Sequence, residues 1–433
     1  MKTSAKVRIV AGVLGLASVL TLGAALIPGE TPAERPSPAA AGRLSLAEIP
    51  VSATSLKDTI QALTTRLERL PRDHEAWARL GAAYVQQARL TADPSFYPRA
   101  EQALARSLDL RPGDFAALAG EAALAAGRHD FAEAVRLARQ SEAANPYGQD
   151  AQAVLADAYT QLGRYGEATR AIGKLMALHP GVASFARASY DAELRGDRAS
   201  ARRMLEHALD DAFSPADIAY CRHYLGELAL HSGDLKRATE QYRLALKAAP
   251  DFTPALAGTA RAAALSGRLE EAADLYETVV ARLPLPQYVT EYAEVLTAAG
   301  RDPADQWALL LAQRDLMKAA GVKDDLTWAE YEADHGDPAR AVEYARAEYA
   351  RNPNVVAADA LAWALHRDGR DREALPYARR ATATGWRNAL LHHHRAEIER
   401  SLRMDGAARK SEAKVRDADP SFSPDLPALA RFS

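Results

Sequence analysis

Apolar residues along most of this chain recur at spacings of three and four. Between Ala219 and Phe252, Tyr224, Leu225 and Leu228 share one helical face, and Leu235, Ala238, Tyr242, Ala245 and Leu246 share another. That periodicity predicts two amphipathic helices. Ser232-Gly233-Asp234 forms the turn between them, and Pro250 stops the second, because proline lacks an N–H and disfavours helix at the residue before it. The unit recurs. Pro112, Pro146 and Pro180 follow one another at 34 residues, as do Pro250 and Pro284, and Pro353 and Pro420 continue the series at about twice that interval. Turn glycines echo it at Gly163, Gly196, Gly233, Gly267, Gly300, Gly336 and Gly369.

Ten units follow, beginning near His74, Gly113, Gln149, Val182, Ala219, Thr253, Pro286, Val322, Val355 and Ala389. Two columns test the register. The eighth position reads Gly81, Gly120, Ala156, Ser189, Gly226, Ala260, Ala293, Ala329, Ala362 and Ala396, all small. The twentieth is alanine from Ala100 to Ala408 except for Asp305 in the seventh unit. Two helices approach closely only where side chains are small, and overfilling such a contact costs about 1–3 kcal/mol. By this reading Gly226 and Ala238 are packing residues, whereas His223 and Glu227 face a concave groove, where exchanging them spares the fold and alters binding.

A helix–turn–helix of about 34 residues resembles the tetratricopeptide repeat (TPR). Trp77, Leu80, Gly81 and Tyr84 match its first-helix pattern, as do Leu155, Ala156, Tyr159, Gly163, Tyr165, Ala168 and Pro180 in a second unit. The resemblance covers about Asp73 to Ser421. It implies an all-α fold, a right-handed α-solenoid superhelix of about ten helix pairs. The apolar leader, Trp77 and its neighbours, the long first turn and Phe422-Ser423-Pro424 also look like TPR proteins of the bacterial envelope and extracytoplasmic space.

The flanks divide the rest. Lys2, Lys6 and Arg8 precede an uncharged run from Ile9 to Ile27, so residues 1–27 read as a signal anchor, with a cleaved signal peptide ending near Gly23-Ala24-Ala25 as the alternative. Basic residues before the run place the N-terminus inside and the remainder outside the cytoplasmic membrane. Residues 28–54 form a Pro/Ala-rich linker. Leu56, Ile60, Leu63, Leu67 and Leu70 mark a capping helix over 55–70, and residues 422–433 a tail. Three irregularities stand out: extra residues from Thr91 to Pro98, which either touch a partner or pack on their own repeat; an elongation at Asp210–Pro215; and Asp302-Pro303 with Asp305 in the seventh unit.

Composition narrows the function. Of 433 residues 48% are hydrophobic but only 7% aromatic, so alanine contacts carry much of the packing. A formal net charge of −3 gives no electrostatic case for nucleic acid. Cys221, the single cysteine, excludes an intrachain disulfide or a multi-cysteine zinc site and reads as a buried small residue. There is no GxSxG elbow, Gly-rich phosphate loop or HExxH, so we expect a non-catalytic protein without cofactor or metal.

In TPR proteins, positions two, five, nine and twelve of the first helices line a concave groove. Carried over by register, position nine here holds Ala82, Glu121, Asp157, Tyr190, Glu227, Arg261, Glu294, Glu330, Trp363 and Glu397, six of them acidic. The functional reading is a negative stripe selecting a basic protein or peptide; the plainer one is a solvated acidic face. His223 with Glu227 and His393 with Glu397 occupy positions five and nine, as a surface pair or two ligands of a metal lacking a third. Asp359, Trp363 and His366 line the groove in the ninth unit, Trp363 as an aromatic anchor or else buried between repeats. The Lys and Asn pattern of the TPR clamp for acidic C-terminal peptides is absent. A scaffold with a concave peptide-binding groove is the leading expectation, and an assembly factor acting by self-association the alternative.

Overall fold

The computed structural model describes residues 53–431. The leader over 1–27 and nearly all of the 28–54 linker lie outside the described residues. Among those described, no helix is long and apolar enough to cross a membrane. A first helix, Ala53–Arg69, is followed by ten helix pairs, from His74–Thr91 with Tyr97–Leu110 to Ala389–Ser401 with Asp405–Ala418. The capping helix buries Leu56, Leu63 and Leu67 and stops short of Leu70, which is exposed.

Each pair closes on its small-residue columns. Leu104, fully buried on the second helix of the first repeat, fits into the space left by Gly81 and Gly120 on two successive first helices. A Cβ at Gly81 would stand 2.5 Å from Leu104 Cγ. Tyr242 sits the same way between Gly226 and Gly258, where a Cβ on either glycine would overlap its ring. One large side chain thus fills a slot between two backbones, which gives dense packing in a chain poor in aromatics.

The pairs wind so tightly that the first four repeats each meet the one six further along. Met317 and Val322, around the start of the eighth repeat, pack with Val85, Tyr97 and Leu124 of the first two. The Lys323 N–H donates to the Arg128 carbonyl at 3.1 Å. Asn354 Nδ2 donates to the Gln161 carbonyl at 2.7 Å, and the Val355 N–H to Tyr165 Oη at 3.0 Å. The Arg198 guanidinium donates to the carbonyls of Arg387 and Ala418, at 2.8 and 2.9 Å, and of His231. Turn glycines permit the contact. Gly233 has φ 73°, and a Cβ there would lie 2.5 Å from Pro420 Cδ, so both conformation and space require glycine.

The irregular stretches resolve locally. The long first turn packs within the array: Phe96 stacks on Tyr84 of its own repeat, and Tyr97 is buried with its hydroxyl donating to the Gly127 carbonyl of the second repeat at 3.1 Å. The elongation becomes an extra helical turn from Pro215, capped by Ser214 Oγ accepting from the Asp217 N–H. In the seventh repeat the second helix, Ala304–Ala319, leaves Asp305 exposed and turns Leu310, Gln313 and Met317 inward instead.

Two outcomes test this packing by urea denaturation. Gly226→Leu and Ala238→Leu each lower stability by about 1–3 kcal/mol, whereas Asp305→Ala stays within about 0.5 kcal/mol. Arg198→Ala strands three main-chain carbonyls and costs about 2–4 kcal/mol.

Candidate functional site

The inward faces of the first helices do not carry an open acidic stripe. Burying an unpaired carboxylate is expensive, and the chain pairs two of these acids, Asp157 and Glu227, with arginines of the next repeat. Asp157 is buried and accepts two bonds from Arg187 of the next repeat, at 2.8 and 2.7 Å. Glu227 accepts from Tyr242 Oη at 2.6 Å and from Arg261 at 2.7 Å. Arg261 bridges onward to Glu291 at 3.0 Å, which also accepts from Tyr276 and Gln287. Burial opposes ionisation of Glu227, but the Arg261 guanidinium, together with His223, His231 and the Tyr242 hydroxyl, outweighs it and holds the carboxyl down at about 2. Glu227 is therefore part of the core, correcting the expectation that it faces an open groove.

The other expected site residues divide in the same way. His223 lies in the core against Tyr224, Tyr242 and Phe252, and burial pushes its imidazole down to about 4. Its Nδ1 stands 3.8 Å from Glu227 Oε1. Trp363 donates its indole N–H to Asp334 at 2.7 Å and stacks on His394 at 4.0 Å and His366 at 5.0 Å, so it is held between repeats. His366 pairs with Asp371, and Asp359 accepts from His394 at 2.8 Å. His393 and Glu397 are partly exposed and 4.0 Å apart, with Glu397 bonded to Arg400. Glu121 is half-buried, and burial raises its carboxyl. Tyr190 meets Trp386 edge-on across the superhelical turn, in an apolar cluster with Leu194, Val355 and Leu391. Trp386 also hydrogen-bonds Glu193, whose carboxyl is pushed up to about 7 by burial, with Arg198 nearby pulling the other way.

Two expected residues, Glu294 and Glu330, share a single site with Asp334, and the chain itself fills it. After the tenth repeat, the segment from Asp419 turns back into the lumen. Phe422 packs near His393, and Leu426 and Leu429 join an apolar cluster with Tyr288, Tyr292 and Leu296. The Ala428 N–H donates to Glu294 Oε2 at 2.9 Å. Arg431 Nε lies 3.2 Å from Glu330 Oε2, and its Nη2 pairs with Asp334. Residues 422–431, read from sequence as a plain tail, are thus largely packed against the array. His335 Nε2 lies 2.9 Å from Glu294 Oε1. Glu294, Asp334 and His335 are close enough to share a metal ion, but the Ala428 N–H and Arg431 already engage the two carboxylates. Beside Arg431 is a cavity of about 60 Å³ bordered by Glu330, Gln287, Thr327, Asp359 and Asn388. Burial lifts the Glu330 carboxyl to about 7 even with Arg431 beside it.

Register found the inward positions but missed Arg187, Glu291 and Asp334, which lie at positions six and thirteen. Arg261, the one cation in the position-nine column, was the available signal that acids here are paired. No family model and no curated protein matches the chain. Among solved structures it is similar to the Thermus thermophilus TPR protein TTC0263, at 24% identity over 44% of this chain and 98% of that one, TM-score 0.39. It is similar to PilW, a type IV pilus biogenesis factor, at 16% identity over 50% and 91%, TM-score 0.36. It is also similar to a human IFIT1 dimer with m7Gppp-AAAA, at 15% identity over 77% of each chain, TM-score 0.47.

Two measurements check the site. Asp157→Ala leaves Arg187 buried without its carboxylate and costs about 3–5 kcal/mol in urea denaturation, whereas Glu397→Ala stays within about 0.5 kcal/mol. Glu193 has a folded pKa raised above its ordinary value of 4.5, so its contribution is complete in acid and is lost as pH rises towards 7. Stability of Glu193→Gln relative to the unaltered chain therefore climbs between pH 4.5 and pH 8, by about 1–3 kcal/mol. The small-residue columns, the inward register and the repeated helix pairs together make this chain a solenoid of the tetratricopeptide repeat type.

Proposed function

We propose that this protein is a non-catalytic scaffold that binds a protein or peptide partner on the inner surface of its solenoid. It acts outside the cytoplasmic membrane, held there by its N-terminal apolar segment. One observation carries the binding reading: a stretch of polypeptide already lies in the lumen, with its main chain on Glu294 and its arginine on Glu330 and Asp334. A surface that holds one short segment this way is suited to another. Three carboxylates gathered there repel a phosphate backbone and attract a basic peptide, which favours protein over nucleic acid as partner.

Capture of partners from membrane extract tests this. Raising salt from about 50 mM to about 500 mM weakens capture on the order of 10-fold, and charge reversal at Glu330 and Asp334 lowers it further. Capture indifferent to both would overturn the electrostatic reading. A reporter fused after Ser433 that matures only outside the cytoplasm is expected to be active; activity of a cytoplasm-only reporter instead would remove the location.

A further inference from the structure

We propose that the inner acidic site recognises a peptide with two aliphatic residues three apart and an arginine two positions beyond the second, and that residues 426–431 occupy this site in place of that peptide. The inference rests on the scaffold reading above and names the chemistry of its partner.

The occupant shows what the site selects. Residues 419–431 leave the tenth repeat beside Gly233 and run past Leu230 and Leu265 to Glu294 and then Glu330, crossing the fifth to the eighth repeats in order. Three kinds of contact hold the end of the segment. Leu426 and Leu429 enter the apolar cluster around Tyr288 and Tyr292. The Ala428 N–H, a group every non-proline peptide has, meets a carboxylate. Arg431 supplies the one cation to Glu330 and Asp334. The spacing of these three side chains, with a main-chain donor between the leucines, is a pattern that another polypeptide can present.

The tail also leaves the site incompletely used. The cavity next to Arg431 is bordered by Asp359, which is 5% exposed and whose Oδ1 is buried without a hydrogen-bond partner. Thr327 and Gln287 border the same cavity, and Thr327 Oγ1 and Gln287 Oε1 are likewise buried and without a partner. Buried polar atoms of this kind cost stability, and a ligand that satisfies them binds more tightly than one that does not. Arg431 pairs with Glu330 and Asp334, while Glu294 meets only the Ala428 N–H and His335, so a peptide with a second cation gains where the tail does not. The tail has one advantage, its tether, which gives it an effective concentration on the order of mM.

The test uses the full chain and a fluorescent peptide of residues 419–431, followed by anisotropy. The Arg431→Ala chain is expected to bind this peptide at least about 10-fold more tightly than the unaltered chain, because its own tail competes less. A peptide with its arginine replaced by alanine is expected to bind neither. Equal affinity for the two chains, or equal binding of the arginine-less peptide, overturns the proposal. A second measurement needs no variant: in the unaltered chain, mM peptide speeds amide hydrogen exchange at residues 426–431 by about 10-fold or more as the tail is displaced. Unchanged exchange there means that the segment is a fixed plug and overturns the proposal. If exchange is unchanged while salt-sensitive capture from membrane extract persists, the scaffold reading stands with a different partner chemistry.

Discussion

The close approach of backbones at the small-residue columns governs this molecule. Leu104 between Gly81 and Gly120, and Tyr242 between Gly226 and Gly258 (two residues before the column's Ala260), set how far each first helix stands from the next. Side chains packed at crystal-like density leave little freedom in that distance. Repeated along the array, it fixes a curvature tight enough to bring the first four repeats against the sixth beyond each. A larger residue in either column would open the winding, and with it the lumen.

Winding that tightly buries the inner face, and the charge pattern follows from burial. An acid on an open groove needs no partner, but one in a narrow lumen does. The chain answers with cations from the next repeat, Arg187 for Asp157 and Arg261 for Glu227. At Glu294, Glu330 and Asp334 the partner comes from further away, in Arg431 and the main chain of Ala428. That exception sets this site apart from the structural ladder.

The fold was legible because its rules are local. Periods of three and four, proline stops and small columns each express packing within about 34 residues, and the expected helix pairs are those observed. The irregular turns could be located but not oriented. The site was legible only in part. Position nine does face inward, yet sequence alone left Glu227 exposed, because its partner Arg261 lies 34 residues on in another repeat. The tail was opaque for a stronger reason: Arg431 meets Asp334 across 97 residues, a proximity that depends on the summed curvature of the array. No pairwise pattern encodes that sum.

The contact between successive superhelical turns changes how such an array holds together. In an extended solenoid each repeat touches only its neighbours, so unfolding can begin at an end and spread piecewise. Here Asn354 and Gln161 are joined across 193 residues, and comparable links run from the second repeat to the fifth. An end repeat cannot fray without stripping the edge of one near the middle. The ends are thereby tied to the centre, and loss of order becomes one cooperative event instead of a gradual unzipping. The same topology raises contact order: a full superhelical turn must form before its edge contacts reward it, which makes folding slower than helix content alone suggests.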